Sequence, residues 1–247
     1  MVIGVLGGTG TAGREVVAEL ERRGHAVAVL SRGAPPRGEH RRVDVVSGDG
    51  LREAMAGLDA MVDVLNGPEP VLVGGVRRAL AAARAAGVCH VVSLSIVGID
   101  RVPLGYYRTK LAQEAVVREA GVPWSILRAT QLHPLLDTIF AATARRGILP
   151  ALRVPLQPVD AREVAAALAD RVGDGADQAI GEFAGPRVER LDRLARTWAQ
   201  ARHVRRLPLP VPLIGATLHA VRRGGLVDAS APHGRVSFEH WLQGAAA

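Results

Sequence analysis

The chain has 247 residues, 48% hydrophobic and 22% charged, enough for one α/β domain, or a domain with a small attached lobe, and too apolar for a disordered chain. Its single cysteine, Cys89, excludes an intrachain disulfide and a thiolate metal cluster. No apolar run approaches the roughly 18 residues of a membrane-crossing helix, and no basic flank marks a signal peptide, so a cytoplasmic protein without a membrane partner is expected.

The net charge is +7, carried almost wholly by arginine, with Lys110 the only lysine. Nine arginines fall between Arg187 and Arg223 against Glu189 and Asp192. They form either a solvated basic surface or an attraction for an anionic cofactor or substrate. Nucleic acid is not an expected partner, because lysine and interleaved aromatic residues are missing there.

Strand and helix patterns alternate along the chain. Residues 2–6 form an apolar strand, 13–23 a helix with Val16, Val17 and Leu20 on one face, and 25–30 a second strand. A short strand over 42–46, a short helix over 51–57 and a strand over 60–65 follow. An alanine-rich helix is predicted over 71–86, a strand over 89–94, a helix over 106–120 and a strand over 124–127. The strands are continuously apolar, as in a parallel sheet covered on both faces. Right-handed crossovers then make the fold α/β and doubly wound.

Beyond Thr130 the pattern loosens. Helices are expected over 134–146, 160–171 and 189–201, with Asp160 as an N-cap. A proline-rich extended stretch covers 148–158 and a last strand 179–183. Residues 207–212 are too rich in proline for a helix or a central strand, and helices follow over 213–223 and 237–243. The whole chain reads as a single compact domain. Residues 1–130 are mainly cofactor-binding and 131–247 combine core elements with a small C-terminal substrate lobe.

The first motif that carries chemistry is Gly7-Gly8-Thr9-Gly10-Thr11-Ala12-Gly13, directly after a strand and opening a helix. Gly7 allows a tight turn, Gly10 a close approach of backbone to a pyrophosphate, and Gly13 close packing of helix on strand. The helix N-terminus then offers free N–H groups to the phosphates. Thr9, Thr11 and Ala12 complete this cofactor loop. The second strand ends in Ser31-Arg32, where a site for NAD usually places a carboxylate. A hydroxyl and a guanidinium there favour NADP(H) over NAD(H). Asp49 is placed either to accept from the adenine amino group or to cap a helix. Asn66 lies beside the bound ribose or organises the turn before Pro68.

Tyr106 and Lys110 are four residues apart and share a helix face. A phenol there could pass a proton to a carbonyl oxygen, and the ammonium could lower its pKa and hold the nicotinamide ribose. Ser93 and Ser95 close the preceding strand, and either hydroxyl could reach the same oxygen. Backbone at Ala129 should pass the nicotinamide carboxamide. His133, Phe140 and Trp198 are candidate substrate contacts, the last two equally candidates for core. The histidines have no ligand spacing, so no metal is expected.

These residues resemble the atypical short-chain dehydrogenase/reductase group in its NAD(P)-binding, NmrA-like branch. The likeness rests on the stretch from Gly7 to Val17, Ser31-Arg32, Gly48-Asp49, the stretches Ser95 to Glu114 and Trp124 to His133, and the later segments starting at Val159 and Glu182. The resemblance implies a Rossmann-type sheet of seven mostly parallel strands. It places Gly7, Gly10, Gly13, Arg32, Asp49 and Lys110 near the cofactor and makes Ser95 the site serine. It implies an NADPH-dependent reductase of a small carbonyl or quinone. The alternative is a non-catalytic NADP-binding sensor with a protein partner, which the Pro208 to Pro212 segment and the basic patch would serve. Monomer and homodimer are both compatible with the sequence.

Overall fold

The computed structural model describes residues 1–209 and 215–244. In chain order the elements are β1 (Val2–Leu6), α1 (Thr11–Arg22), β2 (Ala26–Ser31), β3 (Glu39–Arg42), α2 (Leu51–Met55), β4 (Ala60–Asp63), α3 (Val76–Ala85), β5 (His90–Ile96), α4 (Gly105–Arg118) and β6 (Trp124–Ala129). There follow α5 (His133–Arg145), β7 (Ile148–Pro150), β8 (Pro155–Leu156), α6 (Ala161–Asp174), β9 (Ile180–Phe183), β10 (Glu189–Arg190), α7 (Leu191–Ala201), β11 (Leu207–Leu209), α8 (Ala216–Arg222) and α9 (Phe238–Gly244).

A seven-stranded sheet runs in the order β3-β2-β1-β4-β5-β6-β9. Strand order reverses between β1 and β4, whose parallel register sets Leu6 opposite Asp63. In such sheets ligands bind outside the carboxyl ends at this switch point. The fold is the expected doubly wound α/β architecture, with further helices toward the C-terminus.

Two compact units make up the chain. The first comprises Met1–Ser95, Gly105–Arg128 and Arg162–Gly181. One face of its sheet is covered by α2, α3 and α4, whose Met55, Leu80 and Val117 pack with Leu6, Leu30 and Met61 of the strands. On α1, Val16, Val17 and Leu20 are buried as the helical spacing predicts. Arg23, just past that helix, bonds to Asp170 and to the Ala166 carbonyl on α6.

The second unit comprises Ile96–Leu104, Ala129–Ala161 and Glu182–Ala247. Its core is aromatic. Phe140 packs on Trp198 and Phe238, and His133 on Phe238 and Trp241, at centroid distances of 5.5 to 6.2 Å. Trp198 Nε1 donates to Asp137 Oδ1 at 2.6 Å, which satisfies the indole inside that core. Two small sheets, β10-β8 and β11-β7, hold the extended stretches.

Several boundaries shift from expectation. The third strand is β3 at Glu39–Arg42, earlier than residues 42–46, because its pairing register is set by β2 rather than by apolar content. The helix expected from residue 71 starts as a π-helical turn, Pro70–Gly75, before α3. The strand expected from residue 89 starts at His90, and Cys89 just before it is exposed. Among the described residues of the proline-rich run, Leu207–Leu209 form a strand paired with β7; residues 210–214, which include part of the expected helix from 213, lie outside the described residues. No helix among the described residues is long and apolar enough to cross a membrane.

Candidate active site

The loop after β1 is built by backbone contacts that only glycine permits. Gly7 has φ +85°, a left-handed conformation, and its N–H donates to the Leu30 carbonyl at 3.1 Å. A Cβ on Gly13 would stand 2.2 Å from the Gly7 carbonyl oxygen and 2.6 Å from Gly8 Cα. The first turn of α1 therefore rests directly on the turn, and Gly10 serves as its N-cap without any side-chain bond. That turn holds no acidic residue, so its N–H groups and the helix dipole are left for an anion. Arg14 pins the loop by donating to the Thr9 carbonyl at 3.0 Å. Gly10 and Thr11 are exposed, with Thr9 and Ala12 partly so. This cradle fits the pyrophosphate of a dinucleotide.

At the end of β2, Arg32 is exposed, and no carboxylate pairs with it among the described residues. Ser31 is buried and its hydroxyl donates to the Gly33 carbonyl at 2.7 Å, so it shapes the turn rather than offering its proton outward. Asp49 is exposed and does not cap α2: Gly50 is the N-cap there, and no side chain bonds to it.

Asn66 leaves the carboxyl end of β4 beside the glycine loop, where a Cβ on Gly7 would meet Leu65 Cα at 3.3 Å. From the start of α4 the Tyr106 hydroxyl donates to Asn66 Oδ1 at 2.7 Å. Tyr106 is 36% exposed. Burial of part of its ring pushes the phenol above its ordinary value, and burial likewise pushes neighbouring Tyr107 up to about 12.

Behind this pair lies a buried polar network. Lys110 is 3% exposed, and its ammonium donates to the Leu94 carbonyl at 2.8 Å and to Gln113 Oε1 at 2.7 Å. Gln113 donates to Asp63 Oδ2 at 2.7 Å, as does Ser93 at 3.1 Å. The other carboxylate oxygen of Asp63 accepts from Leu65 N–H at 3.1 Å. Burial raises the Asp63 pKa and lowers that of Lys110, and the attraction between the two opposes both shifts. Alongside, Ser95 donates to Glu114 Oε1 at 2.5 Å, and Arg128 grips the same carboxylate at 2.9 and 2.8 Å.

Against this geometry stand the comparisons with known proteins. A family model described as NAD(P)H-binding matches residues 7–173. The chain belongs to this NAD(P)H-binding family. It is 36% identical over 197 residues to the (4-alkanoyl-5-oxo-2,5-dihydrofuran-3-yl)methyl phosphate reductase of Streptomyces griseus, covering 74% of this chain and 67% of that protein. Ceramide reductase of Caulobacter vibrioides is 31% identical over 170 residues; the match covers 61% of this chain and only about half, 54%, of that protein. The NADPH complex of a quinone oxidoreductase from Escherichia coli superposes with a TM-score of 0.81 at 18% identity, covering 98% of this chain and 99% of that one. The fold is thus a Rossmann-type NAD(P)-binding fold.

For this NAD(P)H-binding chain the expected serine, tyrosine and lysine do not assemble as a set. Tyr106 and Lys110 have different partners, and burial, not a neighbouring cation, sets the phenol pKa. Both Ser93 and Ser95 are 3% exposed and spend their hydroxyl protons on buried carboxylates. Ala129 is buried, with its carbonyl taken by Val97 N–H at 3.0 Å. His133 is fully buried among aromatic rings of the second unit, and Phe140 and Trp198 are buried in that same core. In the basic stretch, Arg190 and Arg196 pair with Asp192, Arg202 with Asp137, and Arg206 donates to the Ala144 carbonyl, so much of its charge has internal partners. No group of side chains suited to a metal occurs among the described residues.

Asp63, Gln113 and Glu114 escaped the sequence reading. Their signals were an aspartate ending an otherwise apolar strand, and two polar residues three and four positions beyond Lys110 on its own helix face. The Glu114–Arg128 pair is nearly dry, with side chains 7% and 11% exposed. Breaking such a pair by removing one partner costs about 3–5 kcal/mol, because the other charge stays buried alone. Arg128→Met should therefore lower the thermal midpoint clearly, and adding Glu114→Gln should recover part of the loss. Equal midpoints for wild type and Arg128→Met would show that the pair is not buried in this way.

Proposed function

We propose that this protein is an NADPH-dependent reductase of a small carbonyl or quinone-type substrate, a member of the NmrA-like branch of atypical short-chain dehydrogenases/reductases working in the cytoplasm. The observation that carries the reading is the Tyr106 hydroxyl, held on Asn66 at the strand end adjoining the glycine cradle. Both curated relatives are named as reductases, which supports the reaction class.

When bound, the reduced nicotinamide supplies a hydride. The chain's part is binding and proton delivery. Gly7, Gly10 and Gly13 let backbone approach the pyrophosphate, and Arg32 meets the 2′-phosphate. Tyr106 gives its proton to the oxygen that gains charge. Lys110 stabilises the frame from inside. On this reading residues 1–130 mainly hold the cofactor and residues 131–247 combine core elements with the substrate lobe.

The cofactor preference tests the Arg32 assignment. A charge-assisted contact to phosphate is worth at least the roughly 1.4 kcal/mol that separates affinities tenfold. Calorimetric titration should show NADPH binding at least about tenfold tighter than NADH. Arg32→Ala should close that gap by weakening NADPH alone. Equal affinities for the two cofactors in wild type would refute the assignment.

A further inference from the structure

We propose that Asn66 is the positioning residue through which Tyr106 holds and delivers its proton. The proposal rests on the reductase reading above.

The geometry leaves Tyr106 one hydrogen-bond partner among the described residues, Asn66 Oδ1 at 2.7 Å. The hydroxyls expected to reach the same substrate oxygen are committed elsewhere, Ser95 to Glu114 and Ser93 to Asp63. The cation expected to assist it donates to Leu94 and Gln113. A carboxamide can serve the phenol in both of its states. Its oxygen accepts from the neutral hydroxyl, and after rotation its NH2 donates to a phenolate. In the reaction the Tyr106 O–H bond breaks and a new O–H bond forms on the product oxygen. The electron pair for the new C–H bond comes from the hydride of NADPH, and the phenolate recovers its proton from solvent. Asn66 is the group placed to donate to that phenolate.

The distance between the two residues is fixed from behind. Asp63 ties the β4 end through Leu65 N–H, and ties α4 through Gln113. Tyr106 lies two turns before Gln113 on the same helix. One buried carboxylate thereby anchors both the strand end that carries Asn66 and the helix that carries Tyr106. The Tyr107 ring lies against the phenol, with its centroid 6.1 Å away. In sequence, the ionisable residues flanking the pair are Arg108 and Lys110 on α4 and Asp63 and Glu69 on either side of Asn66.

The chain has only two tyrosines, so in a Tyr107→Phe background the phenol absorbance belongs to Tyr106 alone. Asn66→Ala and Asn66→Asp are made in that background. Phenol ionisation is titrated without cofactor, and NADPH affinity and single-turnover rate are measured alongside. Asn66→Asp puts an anion against the nascent phenolate, so the titration midpoint should move up, and the rate should fall at neutral pH and recover as the new carboxylate protonates. Asn66→Ala should slow turnover roughly 10- to 100-fold, below the cost of a lost general acid, with NADPH affinity within about twofold. An unmoved titration midpoint in Asn66→Asp, or a loss confined to NADPH affinity in Asn66→Ala, would overturn the proposal. Absence of turnover in wild type would instead count against the reductase reading, and the titration would still decide the role of Asn66.

Discussion

Tyr106→Phe is expected to lower kcat on a ketone by roughly 10²–10⁴, the range of a lost general acid, with NADPH affinity and thermal midpoint nearly unchanged. The substitution keeps the ring and its packing against Tyr107 and removes only the hydroxyl that Asn66 holds. On a quinone the loss should be far smaller, because the reduced product is a stabilised phenolate that needs less help. The pH dependence follows from the sign of the shift. Burial raises the phenol above its ordinary value near 10. A general acid must be protonated to act, and a raised pKa keeps it protonated through the neutral and mildly alkaline range. The rate should therefore show no loss from Tyr106 ionisation until pH exceeds about 10. A cation beside the phenol would have brought that loss down toward neutrality. Single-turnover rates of both proteins on both substrates across this range check the prediction, and full activity of Tyr106→Phe on the ketone would remove Tyr106 from the chemistry.

Gly13→Ala is expected to abolish useful cofactor binding. The added Cβ meets the Gly7 carbonyl oxygen at 2.2 Å and Gly8 Cα at 2.6 Å, and both are backbone atoms that cannot swing aside. Either α1 lifts off the turn or the turn opens, and the phosphate-facing N–H groups move in both cases. A hydrogen bond to a charged group is worth about 1.5–3 kcal/mol, so losing even one phosphate-facing N–H should lower NADPH affinity on the order of 10- to 100-fold. Overpacking of this kind also costs about 1–3 kcal/mol of stability. Calorimetry with NADPH and a thermal melt separate the two effects. A folded Gly13→Ala protein that binds NADPH like wild type would show that the cradle is not the phosphate site.

The parts of this molecule that could be read from sequence are those set by local rules. The glycine spacing from Gly7 to Gly13 dictates a turn and a helix packed onto it, and Val16, Val17 and Leu20 mark the buried helix face. The apolar strands β1, β2, β4 and β6 mark the buried centre of the sheet, as found. What could not be read depends on which polar groups meet in the interior. Lys110 looks like a surface or site lysine until it is seen to donate to Gln113, which in turn donates to Asp63, and those two bonds span 3 and 50 residues of chain. Ser95 matches a motif position, yet Glu114 claims its proton because Arg128 fixes that carboxylate. The partner of Tyr106 lies 40 residues away at another strand end, a distance over which spacing carries no information. In the second unit the same holds for Phe140 and Trp198: few aromatic residues made them attractive as pocket walls, and they are the core for the same reason.

The most direct test of the central claim is turnover of NADPH by the purified protein with a panel of small ketones, aldehydes and quinones. The account predicts NADPH oxidation matched one to one by reduced product for at least one of these acceptors, with NADH a poorer donor. Tight NADPH binding with no oxidation on any acceptor would contradict it and leave a protein that senses the cofactor without using it.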